Sequence, residues 1–193
     1  MIRLLEDSPE DGVPDFDMEG AVANVFKPEG YLEKVLEFDH REEQAKMAKA
    51  VSRALEGGED LLFEAGTGVG KSLAYLVPAV LFAKSRKRPC VIATNTISLQ
   101  EQLLQKDIPA LRKLLGEIPK LEGLSDFRCA LLVGRANYLC STRLQRTMMG
   151  QGDLFEGNQR SELRRIAQWA GEEAREGIRQ EISPSPRGVV WDA

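Results

Sequence analysis

The sequence is poor in several features that define whole classes of protein. It has one histidine and three cysteines among 193 residues, too few for a histidine-rich metal centre or a dense disulfide framework. No stretch approaches the roughly 20 apolar residues of a membrane-spanning helix, so we predict no membrane partner. Asp and Glu outnumber Lys and Arg by 30 to 26, which gives a net charge of −4. This balance excludes a globally basic nucleic-acid footprint and leaves only local patches.

The first 20 residues also lack the apolar core of a secretory signal peptide. They turn acidic at once, with Glu6, Asp7 and Glu10, and this composition is typical of a loosely ordered lead-in. We therefore predict a lead-in over residues 1–20 and a cytoplasmic protein. In that reducing compartment the cysteines are expected as thiols or metal ligands rather than as disulfides.

One motif stands out, a phosphate-binding loop with the sequence AGTGVGKS. It follows the apolar run 61–63 and precedes a long apolar segment, which is the strand–loop–helix context that such a loop requires. Its backbone N–H groups would surround the phosphates of a nucleotide, Lys71 would reach the β- and γ-phosphates, and Ser72 would bind Mg²⁺. The motif normally begins with Gly, and Ala65 can replace it where φ is negative. The predicted nucleotide-binding residues of the loop are Ala65, Gly66, Thr67, Gly68, Val69, Gly70, Lys71 and Ser72, the last two being the candidate catalytic residues.

Short apolar runs that alternate with helical periodicity predict an α/β fold with a parallel sheet flanked by helices. The predicted strands are 61–63, 90–93 and 129–133. Cys90 and Cys129 would be buried in the second and third of these strands. Helices are predicted over 41–55, ended by Gly57–Gly58, over the segment after the loop, and over 99–106 and 108–115, with Pro109 at a helix start. The phosphate loop would lie at the carboxyl end of its strand, where such sheets bind ligands.

Two further segments indicate what the loop serves. Gln44, in the helix before the loop, can offer a donor and an acceptor to an adenine edge, which would select ATP over GTP. An ordinary surface glutamine on an amphipathic helix is the alternative. Thr94 and Thr96 follow the second predicted strand, where hydroxyls and the amides of a helix start suit the phosphates of a nucleic-acid strand. An ordinary N-cap is the alternative there, since Thr and Asn favour that position anyway.

Taken in order, these strings resemble the DinG/XPD-like branch of superfamily 2 DNA helicases, and the bacterial DinG type fits best. EAGTGVGKSLAYLVPA resembles the branch's motif I, ATNTISLQEQL its motif Ia, and GRANYLC the stretch that carries the first cysteine of its iron–sulfur cluster. The resemblance implies a RecA-like P-loop domain of an ATP-driven enzyme that acts on single-stranded or forked DNA and unwinds it with 5′→3′ polarity. It further implies ATP and Mg²⁺, a 4Fe–4S cluster in the full-length protein, and a monomer associated with the nucleoid.

The same resemblance assigns roles to individual residues. Lys71 and Ser72 would hold phosphate and Mg²⁺, and Gln44 together with Arg41 would contact adenine. Cys140 would be an iron ligand. The residues near the DNA backbone would be Thr94, Thr96 and Gln100.

The sequence also departs from that branch. Hydrolysis needs a carboxylate pair, supplied in the branch by a DEAH box, and this chain contains no Asp-Glu dipeptide. Its three cysteines are one fewer than the four thiolates of such a cluster. We therefore expect the N-terminal portion of a longer helicase, not catalytically competent alone, with the first part of a RecA-like domain over 21–139 and the helical start of an iron–sulfur insertion over 140–193. The alternatives are a non-catalytic nucleotide-binding fragment and another P-loop ATPase, such as a recombinase-like motor or an AAA-type protein.

Overall fold

The computed structural model describes residues 17–150, 155, 157–174 and 176–192, and within these ranges the regular structure is helical. The helices are α1 (Met18–Phe26), α2 (Tyr31–Leu36), α3 (Glu42–Gly57), α4 (Lys71–Arg86), α5 (Ile97–Gln102), α6 (Ile108–Gly116), α7 (Ser141–Met149), α8 (Gly157–Glu172) and α9 (Gly188–Trp191). A π-helical turn, Leu103–Asp107, joins α5 to α6, and 3-10 turns cover Glu122–Leu124, Arg135–Asn137 and Arg179–Glu181. The chain divides into two compact units, one over residues 1–129 and the other over 130–193.

The predicted parallel sheet is wrong for the described part of the chain. The three apolar runs expected as strands have no regular structure there and pair with no neighbour, and the one β-type pairing is an isolated antiparallel bridge between Tyr138 and Ile178. Leu62 is 99% exposed and Val91 is 90% exposed, so these runs lie on the surface. An apolar run records only a preference for an extended, half-buried surface, and a strand forms only where a partner supplies the hydrogen bonds.

The predicted burial of two cysteines is wrong for the same reason. Cys90 and Cys129 lie in two of these apolar runs, and both are exposed. Without a sheet around them, their thiols contact solvent rather than a core. Partial screening from water still raises the pKa of the Cys90 thiol above its usual range.

The first unit is built around α4, which is buried on most of its sides. Leu73, Leu76, Val77 and Leu81 are all buried, as the nearly continuous apolar run of this helix predicts. Helix α3 packs along α4, α1 contacts both, and α6 packs against α4 and α2. No helix of the described residues is both long enough and apolar enough to cross a membrane.

Local signals place several helix ends of the first unit. Gly58 adopts a left-handed conformation with φ of 67° and donates its N–H to the carbonyl of Ala54, which ends α3 at the predicted Gly57–Gly58 pair. Pro109 lies in the first turn of α6, as predicted, directly after the π-helical turn. The Thr96 hydroxyl accepts a hydrogen bond from the Leu99 N–H, so α5 starts two residues before the predicted 99–106 helix.

The second unit has its own small core. Helices α7, α8 and α9 belong to it, and Leu163, Ile166 and Trp169 of α8 are buried with Val190 of α9. The Trp191 indole N–H donates to the carbonyl of Ala136 at 2.7 Å, which ties α9 to the GRANYLC segment. This unit therefore fixes the segment around the candidate iron ligand through contacts distant in sequence.

Candidate nucleotide-binding site

The phosphate-binding loop is an open, curled turn at the start of α4. Gly68 and Gly70 have φ angles of 81° and 82°, which residues with a side chain rarely adopt. Ala65 lies outside this left-handed region, so its methyl group is compatible with the loop. The loop ends where α4 begins at Lys71, and the unbonded N–H groups of a helix start favour an anion there.

The Lys71 ammonium lies across the mouth of this loop. Its Nζ donates to the carbonyl of Gly66 at 2.8 Å and to the carbonyl of Ala65 at 3.1 Å. The side chain thus returns from the helix start to the beginning of the motif and brings a positive charge to the surface that the loop N–H groups share. This charge and those donors are what a polyphosphate requires.

Gln44 connects the loop to α3. Its side chain is only 4% exposed, and its Nε2 donates to the Gly70 carbonyl at 2.8 Å. A Cβ atom on Gly70 would overlap this amide, so the glutamine and the glycine fit one another closely. The interpretation of Gln44 as an ordinary surface glutamine is wrong, because the side chain is buried.

A cavity of about 330 Å³ lies between these elements in the first unit. It brings together Arg41, Gln44, Gly70 and Ser72, four of the residues that the sequence predicts at a nucleotide site. The contact between Gln44 or Arg41 and an adenine stays a prediction. The remaining loop residues form the adjoining turn from Ala65 to Val69.

Other residues of this cavity were not predicted. Phe38 is 49% exposed and lines the wall next to Arg41. Gln102 and Asp107, from the end of α5 and the π-helical turn, line the same cavity. The only sequence feature that could have indicated Phe38 is its position as an aromatic residue shortly before Gln44. Nothing in the local sequence marks Gln102 or Asp107, because only packing brings them to the loop.

The hydroxyl that would hold Mg²⁺ has a polar neighbour within its own helix. Burial is the main cause that raises the pKa of the Tyr75 phenol above its usual range. The Ser72 hydroxyl opposes this shift, and the negative charge of Asp107 adds to it. The Tyr75 phenol is therefore within electrostatic reach of both Ser72 and Asp107.

Comparisons with known proteins show what the sequence around this candidate site is similar to. Residues 42–125 match the family model described as DEAD/DEAH box helicase. The chain is 40% identical over 154 residues to the ATP-dependent DNA helicase YoaA of Haemophilus influenzae, which covers 79% of this chain and 22% of that protein. The chain is thus similar to DEAD/DEAH box helicases over residues 42–125 and to helicases named YoaA and DinG over nearly four fifths of its length. The resemblance predicted from the motifs is thereby confirmed.

Two further relatives extend the comparison. The chain is 37% identical over 164 residues to the ATP-dependent helicase DinG of Mycobacterium tuberculosis, covering 78% of this chain and 24% of that protein. It is 30% identical over 155 residues to a protein of Bacillus subtilis named 3′-5′ exonuclease DinG, covering 80% of this chain and 16% of that protein. The chain thus spans about a fifth of the length of the curated relatives it matches.

The segment that resembles helicase motif Ia has a polar, surface-facing start. Thr96 is exposed and caps α5, while the Thr94 hydroxyl donates to the Thr96 carbonyl at 3.3 Å. Gln100 lies half-buried one turn further along the helix. The geometry thus contains the N-cap that was the alternative interpretation of this segment. A DNA contact by Thr94, Thr96 or Gln100 stays a prediction.

The segment that resembles the first cysteine of the helicase cluster lies in the second unit. Cys140 is exposed, precedes α7 and lines a cavity of about 440 Å³ with Arg135, Arg143 and Trp191. No group of three His, Cys, Asp or Glu side chains among the described residues is placed to hold a metal ion. The residues present therefore do not fit a four-thiolate cluster, and the role of Cys140 as a ligand stays a prediction.

Proposed function

We propose that the first unit binds ATP and Mg²⁺ and is the nucleotide-binding part of an ATP-dependent DNA helicase of the DinG type. The observation that carries this proposal is the continuous arrangement of the Lys71 ammonium, the curled loop and the adjoining cavity at Gln44. The loop and the ammonium suit phosphates, and the cavity suits a nucleoside. The relatives named as ATP-dependent helicases support the same activity.

Each part of the site has a defined task in this proposal. Lys71 exchanges its hydrogen bonds with the carbonyls of Ala65 and Gly66 for phosphate oxygens, and Ser72 binds Mg²⁺. Gln44 keeps the loop at α3 through Gly70 and, with Arg41, faces the base. Mg²⁺, when bound, neutralises charge that develops on the phosphates during transfer.

The DNA contact belongs to the same proposal. Capping α5 uses one acceptor position of the Thr96 hydroxyl, which retains a proton to donate to a phosphate oxygen. Gln100 adds an amide donor one turn along, and Thr94 can donate by exchanging its bond to the Thr96 carbonyl for one to a phosphate of single-stranded or forked DNA. Movement along that strand with 5′→3′ polarity, a monomeric state and a cytoplasmic, nucleoid-associated location complete the proposed role of the whole protein.

Cys140 is our candidate for one ligand of a 4Fe–4S cluster in a longer protein. The chain carries three cysteines, and Cys90 and Cys129 lie in the unit that does not contain Cys140. Binding and orienting of ATP by the first unit does not depend on such a cluster.

A second candidate is a nucleotide-binding unit without catalysis. It is favoured by the absence of any Asp-Glu dipeptide, because hydrolysis needs one carboxylate on Mg²⁺ and another near the attacking water. Under this proposal the 193-residue chain binds ATP and does not turn it over. DNA-stimulated ATP hydrolysis by this chain would contradict it.

Substitution of Lys71 tests the site. Lys71→Ala removes the ammonium, and we expect ATP–Mg²⁺ affinity, measured by isothermal titration calorimetry, to fall by about tenfold or more, as for other charge-assisted contacts. Lys84→Ala is the matched control, since Lys84 lies in the last turn of the same helix. Equal affinities of the Lys71→Ala variant and the unaltered chain would refute the assignment.

A further inference from the structure

Gln102 and Asp107 form a polar pair in the wall of the nucleotide cavity. The Gln102 Nε2 donates to the Asp107 Oδ2 at 3.2 Å, and both residues line the cavity with Gln44 and Ser72. Asp107 lies inside a continuous helical backbone, with φ of −74° and ψ of −40°, so its carboxylate has no free helix start to cap. Its carboxylate is instead held at the cavity by Gln102.

The π-helical turn explains how Asp107 reaches this position. The backbone continues as a helix from α5 through Leu103–Asp107 into α6, with the wider π-helical winding in between. Because π-helical turns are rare and concentrate at functional sites, this winding is itself a sign of a placed side chain. The pair stands about 30 residues after Ser72 and was invisible to motif analysis.

The charge of the cavity defines what the pair can bind. Three carboxylates line it, those of Glu37, Asp39 and Asp107, against the single guanidinium of Arg41. These acidic residues disfavour phosphates inside the cavity, whereas Lys71 and residues 65–69, which do not line the cavity, attract phosphates to the adjoining loop. An ionised carboxylate only accepts hydrogen bonds, so Asp107 requires a donor on its ligand.

We infer that Asp107, oriented by Gln102, recognises a hydrogen-bond donor of the nucleoside and so determines which nucleotide the site accepts. This inference rests on the proposed function of the same site. The donor is either the exocyclic amine of adenine or a ribose hydroxyl. A guanine base presents a carbonyl oxygen where adenine has its amine, and a carboxylate facing that oxygen is repelled.

Asp107→Asn keeps the shape of the side chain and removes its charge. Calorimetric titrations of the 193-residue chain with ATP, GTP, 2′-deoxy-ATP and 3′-deoxy-ATP, each with Mg²⁺, measure the effect. We expect ATP affinity to fall by about tenfold, a typical loss for a hydrogen bond to a charged group. Glu101→Gln is the matched control, because Glu101 is an exposed neighbour on α5 that does not line the cavity.

The nucleotide series distinguishes the two donors. If the amine is recognised, the preference of the unaltered chain for ATP over GTP narrows in Asp107→Asn, and the deoxynucleotides bind like ATP. If a hydroxyl is recognised, one deoxynucleotide binds the unaltered chain weakly, and this difference disappears in Asp107→Asn. Affinities of Asp107→Asn that match those of Glu101→Gln for all four nucleotides would overturn the inference.

The same titrations separate this inference from the proposed function. A chain that binds ATP and loses binding in Lys71→Ala, while Asp107→Asn changes nothing, retains the nucleotide site and refutes the role of Asp107. A chain that binds none of the nucleotides refutes both.

Discussion

The phosphate loop of the first unit and the GRANYLC segment of the second unit both carry a recognisable motif, but their surroundings differ. Around the loop, Gln44 donates to Gly70 and Lys71 donates to Ala65 and Gly66, so hydrogen bonds hold the predicted residues together in one candidate site. Around Cys140, no described residues form a group of three possible metal ligands. A contiguous motif can supply most of a phosphate site, whereas a metal cluster needs ligands that other segments must bring.

The largest effect on the loop is expected from a substitution of Gly70. Gly70→Ala places a side chain at a φ of 82° and against the Gln44 amide, so we expect a loss of stability of the first unit of about 2–4 kcal/mol and a marked loss of ATP binding. Chemical denaturation followed by far-ultraviolet circular dichroism measures the first effect, and calorimetry measures the second.

Gly68→Ala is the matched control for this substitution. Gly68 has nearly the same φ, 81°, but nothing lies within 4 Å of the position that its Cβ would occupy. The difference between the two variants therefore isolates the contact with Gln44. Equal losses in both would show that only backbone strain matters and that the Gln44 contact is not tightly fitted.

A smaller effect is expected in the second unit at low pH. Burial raises the pKa of Glu162. Hydrogen bonds from the Arg187 backbone and guanidinium, together with the charge of that guanidinium, lower the pKa by more than burial raises it, so the pKa lies below its usual value. Because the pKa is lower in the folded state, the pair stabilises the unit fully at pH values above the unfolded pKa of about 4.3. This stabilisation is lost as the pH falls through the folded pKa. We expect a contribution of at most about 1 kcal/mol, because Arg187 is more than half exposed.

Tryptophan fluorescence makes this effect specific to the second unit. Both tryptophans of the chain, Trp169 and Trp191, lie there. We expect the difference between the denaturation midpoints at pH 7 and pH 3.5 to be smaller in the Glu162→Gln variant than in the unaltered chain. An acid-induced loss of the same size in both proteins would refute a role for this pair.

The smallest effect is expected at Cys140. Cys140→Ser changes one exposed atom in the second unit, so ATP affinity and the stability of the first unit should stay the same within measurement error. The unaltered 193-residue chain, reconstituted anaerobically with iron and sulfide, should show no broad absorbance near about 400 nm, since it lacks a fourth thiolate. A stable iron–sulfur chromophore that is lost in the Cys140→Ser variant would show that the second unit, like the phosphate loop, already has the residues that its site needs.

The predicted helices of the first unit succeeded and the strands failed for a physical reason. The ends at Gly57–Gly58 and Pro109 depend on local backbone preferences, which three or four neighbouring residues decide. The runs at 61–63 and 90–93 have the right composition for strands, but a ladder requires a partner at a distance in the sequence. Leu62, almost fully exposed, shows that composition alone does not bury a residue.

The candidate site divides in the same way. The sequence by itself predicted the phosphate loop, because its glycines, Lys71 and Ser72 are contiguous and form one motif. The sequence also indicated Gln44 as a candidate residue for contacting adenine. Only the tertiary structure decided that Gln44 bonds Gly70 and that Gln102 and Asp107 complete the cavity wall. The bond between Gln44 and Gly70 joins residues 26 positions apart, and packing of α3, α4 and the π-helical turn brings the cavity wall together where no local pattern could.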